Sequence, residues 1–244
     1  MADPFLIYHD SQWHLLFEAM NARTVRGVIA HATSPDARRW TYRQAVLDEP
    51  FHLSYPYVFA HDGEFFMIPE TAEAGHVRLY RADPFPTKWK FVCVLLNRGY
   101  TDPSIVQWDG KWWMVCGQGG NDSSCLFYSD RLSGPWIEHP RSPIVRGNIH
   151  QGRPAGRIVH WDAQLLRFAQ DCHPDYGTRV WPLRITQLST SEYSEELAGP
   201  QVLGPGDKKW NHAGMHHVDP QPAGNGAWLA AVDGWYAAPE SRQA

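Results

Sequence analysis

Acidic side chains recur at equivalent places in a phrase that the chain repeats about every fifty residues. In each copy a polar or aromatic residue stands before a proline and an apolar stretch, and these leading residues are Asp3, Tyr55, Asp102 and Arg153. Two aspartates sharing one cleft with further carboxyls suit hydrolysis of a glycosidic bond, because one carboxyl must donate a proton while an ionised one activates water. The alternative for each aspartate is a structural place at a strand start or turn.

A second set of residues follows at a fixed distance from the repeated prolines. Fourteen residues after Pro4, Pro56 and Pro103 come Glu18, Glu70 and Gly117, and a two-residue insertion in the fourth copy brings Gln170 to the same place. We expect both sets to face one axis, since equivalent positions of a structural repeat are placed equivalently in space.

The elements that must position these side chains are short strands joined by turns. The prolines of the four copies lie 52, 47 and 51 residues apart, and Asp62-Gly63 and Asp109-Gly110 are hairpin turn signals. Strand-like units of this length indicate an all-β fold, a five-bladed β-propeller with four-stranded antiparallel blades. The predicted single domain spans 1–244, with blades at about 3–50, 55–99, 102–147, 153–203 and 212–234 plus a closing strand.

Composition excludes several classes of partner. The net charge of −4 argues against nucleic acid and anionic membrane surfaces, and no apolar run reaches the length of a membrane span. Because the first residues lack the pattern of a secretory signal, the predicted compartment is the cytoplasm. The four cysteines show no CxxC spacing and are interpreted as reduced, buried residues. The sequence leaves the oligomeric state open.

Several strings resemble known propellers. The Asp-Pro openings at Asp3 and Asp102 resemble the five-bladed superfamily of glycoside hydrolase family 43, invertases and levansucrases. More narrowly, Leu53–Val58, Met67–Thr71, Arg153–Arg157 and Ala169–Cys172 resemble a hydrolase-like propeller of bacterial proteins, which is also the N-terminal domain of plant glucosamine inositolphosphorylceramide glycosyltransferases. The resemblance covers nearly the whole chain.

This resemblance implies roles for the carboxyls. Asp3 matches the general base, and Asp102 matches the aspartate that positions the acid and tunes its pKa. The family places its acid, a Glu, at the start of the inner strand of blade four, where this chain has Arg153, which cannot donate that proton. Glu70 is therefore the candidate acid, with Glu18 in reserve; the alternative is that these glutamates pair with Arg153 or Arg157.

Other polar residues are candidates for binding the substrate: Glu18, Tyr55, Arg153, Arg157, Gln170, Asp171 and His216. The arginine forks suit a hydroxyl pair, a carboxylate or a phosphate. By the resemblance, His216 is the axial histidine that in relatives contacts a central water or calcium. His212, His216 and His217 lack the spacing and the Glu of a zinc protease, so we predict no catalytic metal and no required cofactor.

Two functions stay open at this point. The first is an inverting glycosidase with Asp3 as base, Glu70 as acid and Asp102 as modulator, acting on a glycan or glycoconjugate. The second is a propeller that has lost its acid and binds a carbohydrate or sugar-nucleotide without turnover, serving a glycosyltransferase or glycan-modifying pathway. A third hypothesis is a part in glycosyl transfer, because the resembling propeller occurs together with glycosyltransferase domains in the plant proteins.

Overall fold

The computed structural model describes residues 1–236, and nearly all of its regular structure is antiparallel β-sheet. Three consecutive sheets, blades one to three, have four strands each. In every one of them the strands are neighbours in the order in which they follow along the chain, from the inside outwards. Their strands are β1 (Ala2–His9), β2 (Gln12–Asn21), β3 (Arg26–Ser34), β4 (Thr41–Leu47), β5 (Ser54–His61), β6 (Glu64–Glu70), β7 (Val77–Ala82), β8 (Trp89–Leu96), β9 (Thr101–Trp108), β10 (Lys111–Gln118), β11 (Ser123–Ser129) and β12 (Ile137–Glu138).

The fourth blade differs because its innermost strand is interrupted. Its strands are β13 (Arg153–Pro154), β14 (Val159–Trp161), β15 (Gln164–Asp171), β16 (Arg179–Leu188) and β17 (Tyr193–Leu197), and both β13 and β14 pair with β15. At the interruption, the backbone N–H of Val218 donates to the carbonyl of Ala155 at 2.8 Å. The break therefore joins blade four to the next sheet.

That next sheet corrects the prediction of five four-stranded blades. It contains two strands, β18 (Val218–Gly224) and β19 (Ala227–Val232), so residues 1–236 form four complete blades and one two-stranded sheet. The sheet lies between blades four and one, since the backbone N–H of Leu6 donates to Asp219 at 2.6 Å. Trp235 makes a bridge with Gly214, and the rest of the predicted closing strand, 237–244, lies outside the described residues.

Apolar side chains pack between neighbouring blades. The largest cluster joins the first three blades through residues such as Phe5, Leu16, Tyr57, Met67 and Met114. The four cysteines are free thiols, and Cys116 and Cys125 are cross-strand partners on β10 and β11. Within 1–236 no helix is long and apolar enough to cross a membrane. The cytoplasmic location stays a prediction.

The inner strands of the first three blades begin with the same backbone distortion. Asp3, Tyr55 and Asp102, each followed by proline, have φ of 49°, 47° and 49°, which is the left-handed region. The strand pairing shifts register at each of these places, so the distortion is a β-bulge. A non-glycine residue held at positive φ costs of order 1–3 kcal/mol, and such strain concentrates at functional sites.

Candidate functional site

The strand register brings the second predicted set of residues to equivalent places. Ala2 pairs with Glu18, Ser54 with Glu70, Thr101 with Gly117, and Arg153 with Gln170. The same spacing recurs beside the two-stranded sheet, where the backbone N–H of His217 donates to Asp233, sixteen residues later. Glu18, Glu70, Gly117, Gln170 and Asp233 therefore form one ring, which we call the axial ring.

Arg153 connects two of the predicted catalytic carboxyls. Its Nε and Nη2 donate to the two oxygens of Asp102 at 2.5 and 3.2 Å, and Nη2 also reaches Glu70 Oε2 at 3.4 Å. Its Nη1 donates to Asn121 Oδ1 at 2.7 Å. Because the Asp102 side chain is only 2% exposed and that of Arg153 16%, this is a largely buried ion pair in which the guanidinium fork is fully engaged.

Asp102 and Glu70 have further partners in this cluster. Gln170 Nε2 donates to Asp102 Oδ2 at 3.2 Å and to the carbonyl of Pro154 at 2.9 Å. Glu70 Oε2 accepts the backbone N–H of Asp102 at 3.2 Å. Burial and the Asp102 charge raise the pKa of Glu70 well above its usual range, although Arg153 opposes them. Glu70 therefore holds a proton more tightly than an exposed glutamate does.

Asp3 lies in a second cluster, with His216 and Asp233. Asp233 Oδ2 accepts the backbone N–H of Asp3 at 3.0 Å, while Oδ1 faces His216 Nδ1 at 2.6 Å. The Asp3 carboxylate itself lies 3.9 Å from His216 Nε2 and 3.7 Å from His217 Nδ1, longer than hydrogen bonds. Its side chain is 10% exposed, and among residues 1–236 this nearly buried carboxyl has no partner within hydrogen-bond distance.

The surroundings set the protonation of this second cluster. Burial raises the pKa of Asp3 to about 8, against the opposing effect of His216. Burial alone would lower the pKa of His216, but the Asp233 carboxylate outweighs it and raises the pKa to about 9. At neutral pH Asp3 is therefore a neutral carboxylic acid, and His216 and Asp233 form an ion pair.

Glu18 faces the same region from blade one. Its Oε1 lies 3.4 Å from His52 Nε2, and the backbone N–H of Gly27 donates to the other ring nitrogen of His52 at 3.0 Å. Burial raises the pKa of Glu18, with His52 opposing. The charge of Glu18 also contributes to the raised pKa of Asp3, which places the two carboxyls in one electrostatic environment.

Tyr55 is buried among the inner strands and does not join the two clusters of charged groups. The Tyr55 side chain is fully buried; its hydroxyl is 2.7 Å from Ser104 Oγ and accepts the backbone N–H of Gly156 at 2.6 Å. Its ring packs edge-on against Phe5 and His217, with centroids 4.9 and 5.3 Å away. Tyr55 thus contacts residues in or beside each of the other sheets from a buried position.

Arg157 and Asp171 are placed apart from the two clusters. Arg157 Nε donates to Asp219 at 2.6 Å, and its Nη2 donates to the carbonyl of Val58 at 2.9 Å, three residues after Tyr55 on strand β5. Asp171 is 2.9 Å from His150 Nδ1 and accepts the indole N–H of Trp181 at 3.1 Å. The predicted residues Asp3, Glu70, Asp102, Arg153, Gln170 and His216 therefore come together, whereas Tyr55, Arg157 and Asp171 have interior or peripheral partners.

Three residues of the site escaped the sequence analysis. The sequence did contain a signal for Asp233, because it follows His217 by sixteen residues, the same separation along the sequence as between Ala2 and Glu18. Asn121 and Tyr176 lie in loops, where no periodicity identifies which side chain turns towards the axis.

Asp3, His216 and Asp233 are the residues that would have to hold a calcium ion on the axis. One ligand atom each of Asp3, His216 and Asp233 lie within 4.8 Å of one another. Asp233 already accepts three backbone N–H groups and faces the His216 ring, and a His216 with a pKa of about 9 carries a proton. Calcium takes six to eight oxygen ligands. These residues do not fit calcium, and an axial water stays a prediction.

Sequence comparison gives a consistent result over nearly the whole chain. Residues 1–235 match the family described as Glucosamine inositolphosphorylceramide transferase 1, N-terminal. The proteins named Glucosamine inositolphosphorylceramide transferase 1 of Oryza sativa subsp. japonica and Arabidopsis thaliana are 36% and 35% identical to it. Both alignments cover 96% of this chain but 33% and 32% of the relatives, so the chain spans about a third of their length.

Solved structures with the same fold are glycoside hydrolases. Native Bacillus subtilis arabinanase Arb43A matches with a TM-score of 0.66 at 15% identity, over 95% of this chain and 94% of that one. The catalytic domain of Coprinopsis cinerea GH62 α-L-arabinofuranosidase matches with a TM-score of 0.70 at 12% identity, over 96% and 84%. At such low identity the similarity concerns the fold alone, an all-β propeller.

Proposed function

Since this chain belongs to the family of glucosamine inositolphosphorylceramide transferase 1 N-terminal regions, we propose that its propeller binds a saccharide at the axis, without hydrolysing it, in support of glycosyl transfer. The relatives' name makes glucosamine and inositol phosphate head groups the first ligands to test. The proposal covers this domain's part in a longer activity, because the chain spans 33% of the rice relative.

The observation that carries the proposal is the Arg153 guanidinium between Asp102 and Glu70. It stands where the resembling hydrolases have their acid, and it engages both oxygens of Asp102. Removing that guanidinium would leave a buried carboxylate without its counter-charge, so the arginine is built into the cluster.

The protonation of Asp3 supports the same conclusion. A general base must be ionised to take a proton from water, and an Asp3 with a pKa of about 8 is mostly neutral at pH 7. A neutral carboxylic acid can instead donate one hydrogen bond and accept others, which suits recognition of sugar hydroxyls. In this proposal Asp3, Glu18 and His216 face the ligand, and Gln170 holds Asp102.

The test compares binding with turnover. We expect isothermal titration to detect binding of glucosamine or of inositol phosphate at pH 7, and a panel of aryl glycosides and oligosaccharides to stay uncleaved. Asp3→Asn should keep the affinity within about threefold, because an amide resembles the neutral acid that it replaces. If the chain bound neither glucosamine, nor inositol phosphate, nor any member of the glycoside panel, the proposal would be refuted.

A glycosidase is the second candidate, favoured by the raised pKa of Glu70. A carboxyl held protonated near neutrality has the property required of a general acid. This function needs Asp3 ionised and about 6.5–9.5 Å from the acid for inversion. The rate would then rise with pH towards about 8 as Asp3 ionises. Turnover that both Asp3→Asn and Glu70→Gln abolish would favour this candidate over the first.

We also propose that the two-stranded sheet is the inner part of a fifth blade. Asp233 supplies a fifth member of the axial ring, and within residues 1–236 no further strand pairs with the outer edge of β19. An experimental structure with additional strands beside β19 would support this, whereas a helix or another blade face packed against that edge would contradict it.

A further inference from the structure

Tyr176 stands at the mouth of the axial site, and nothing in the sequence analysis assigned it a role. It lies in the loop between β15 and β16, at residues 172–178. The centroid of its ring is 5.2 Å from Cζ of Arg153. The ring centroids of Tyr176 and His216 are 5.3 Å apart, and the two rings meet edge-on with an angle of 80° between their planes. The tyrosine therefore contacts the central cation of each of the two clusters.

The loop holds Tyr176 in place. Gly177, next to it, has φ of 66°, and a Cβ there would lie 2.6 Å from Cβ of His216. The Gly177 carbonyl accepts the indole N–H of Trp235 at 3.1 Å, and the backbone N–H of Thr178 donates to the Asp171 carbonyl at 2.9 Å. The ring position is thus fixed by contacts on both sides of it.

Tyr176 nevertheless stays 44% exposed. Among the hydrogen bonds of residues 1–236, none involves its hydroxyl. Arg153 lies over one side of the ring, and the exposed remainder of this anchored ring is an apolar surface next to groups that bond hydroxyls. A pyranose has the matching chemistry, with a face of C–H groups and an edge of hydroxyls.

From this juxtaposition we infer that Tyr176 is a sugar-stacking and specificity-determining residue: its ring packs on the C–H face of the saccharide while the ligand's hydroxyls reach Asp3 and the neighbouring carboxyls. The inference rests on the proposed binding function and adds the residue that selects a pyranose face. It also gives the loop between β15 and β16 a role, because the loop's anchoring fixes the distance between the ring and Asp3.

The test uses three substitutions at this position and one matched control. Tyr176→Phe keeps the ring, Tyr176→Leu keeps apolar bulk without a flat face, and Tyr176→Ala removes both. Tyr42→Ala is the control, because Tyr42 is 61% exposed on the outer strand β4 and contacts neither cluster. The probes are glucosamine, N-acetylglucosamine and inositol phosphate, titrated by calorimetry and by ligand-observed NMR.

We expect the Ala and Leu variants to bind about tenfold more weakly than the unchanged chain, and the Phe and Tyr42→Ala variants to bind within about twofold. Equal affinity of all variants would overturn the inference while leaving the proposed function standing. If the unchanged chain bound none of the probes, the proposed function itself would fail, and the inference with it.

A purely structural role is distinguished by two further measurements. If Tyr176 only held the clusters together, the Leu variant would melt at a lower temperature and shift the NMR-measured pKa of His216, whose ring it contacts. Weakened binding together with those changes would overturn the inference. Weakened binding at unchanged melting temperature and His216 pKa would support it.

Discussion

At the scale of single residues, the site contains more buried carboxyl groups than cationic side chains, and this imbalance determines which carboxyls are ionised. Asp102 and Glu70 share Arg153, and Asp233 is matched by His216, while Asp3 keeps its proton. Leaving a buried carboxyl neutral costs less than leaving it charged without a partner. The protonation pattern therefore follows from the packing.

We predict that the stability of the fold decreases as pH rises from about 6.5 to 9. Asp3 and His216 hold their protons more tightly in the folded chain, with pKa values raised from 3.8 to about 8 and from 6.5 to about 9. The stability linked to these raised values is present in full below the unfolded pKa of each group and is lost as pH rises through its folded pKa. Thermal melting across this range measures the effect.

Asp3→Asn provides the control for that prediction. Its amide cannot ionise, so the decrease between pH 6.5 and 8 should become shallower, and the remaining decrease should follow the titration of His216. Identical melting curves for the variant and the unchanged chain at every pH would contradict the assigned pKa of Asp3.

A second prediction concerns the ion pair of Arg153. Arg153→Ala leaves the 2%-exposed Asp102 without its counter-charge and should lower the free energy of unfolding by about 3 kcal/mol or more. Adding Asp102→Asn should restore part of the loss, because the uncompensated charge disappears. Urea denaturation of the two single variants and the double variant measures the coupling. Strictly additive losses would show that the pair is not coupled.

At the scale of elements, the hairpins explain which parts of the site could be predicted. Each inner hairpin has nearly constant length, so Ala2 with Glu18 and Ser54 with Glu70 keep the same spacing, and counting along the sequence identified four of the five members of the axial ring, all except Asp233. The destination of Tyr55 could not be derived in this way. A bulged residue with left-handed backbone departs from the strand alternation on which such counting depends.

Blade four illustrates a limit of repeat counting. Its Arg-Pro copy matches the phrase in sequence, yet Arg153 pairs in regular register with Gln170 and is not among the residues with positive φ. The irregularity falls later, between β13 and β14, where Gly156 approaches the next sheet. That approach depends on the absence of a side chain, a feature visible only in three dimensions.

Gly156 gives the prediction at this scale. A Cβ there would lie 1.8 Å from the Val218 carbonyl oxygen, and its φ of 129° is unfavourable for any side chain. We expect Gly156→Ala to lower the free energy of unfolding by about 3 kcal/mol or more. Gly63→Ala is the control: it also has positive φ but no atom within 4 Å, so about 1 kcal/mol is expected. Chemical denaturation measures both, and equal losses would contradict the close-approach argument.

At the scale of the whole molecule, the two-stranded sheet is the exception to the repeat. The repeat length correctly predicted blades one to four, but it could not predict how many strands the last unit contains. Within residues 1–236 that unit has the paired strands of Val218–Val232 and the bridge between Gly214 and Trp235. Apolar crevices of about 380 and 690 Å³ lie on either side of β19. Crevices therefore separate this sheet from blade one on one side and from blade four on the other.

We predict that a charge on the outer edge of β19 reduces self-association. β19 reads Ala-Trp-Leu-Ala-Ala-Val and has no charged residue, and edge strands without charges favour pairing between molecules. Ala230→Lys should lower light scattering in concentrated solution. Ala45→Lys is the control, on outer strand β4, where Arg43 already supplies a charge. Scattering unchanged by Ala230→Lys, or lowered equally by both substitutions, would contradict the prediction.

The position of Tyr55 has a consequence for how the blades are held together. Its ring and hydroxyl contact Phe5, Ser104, Gly156 and His217, which lie in or beside each of the other sheets. One buried side chain therefore joins blade two to blades that are not its neighbours around the axis. The units of the repeat are tied together at a single shared point, in addition to the packing between adjacent blades.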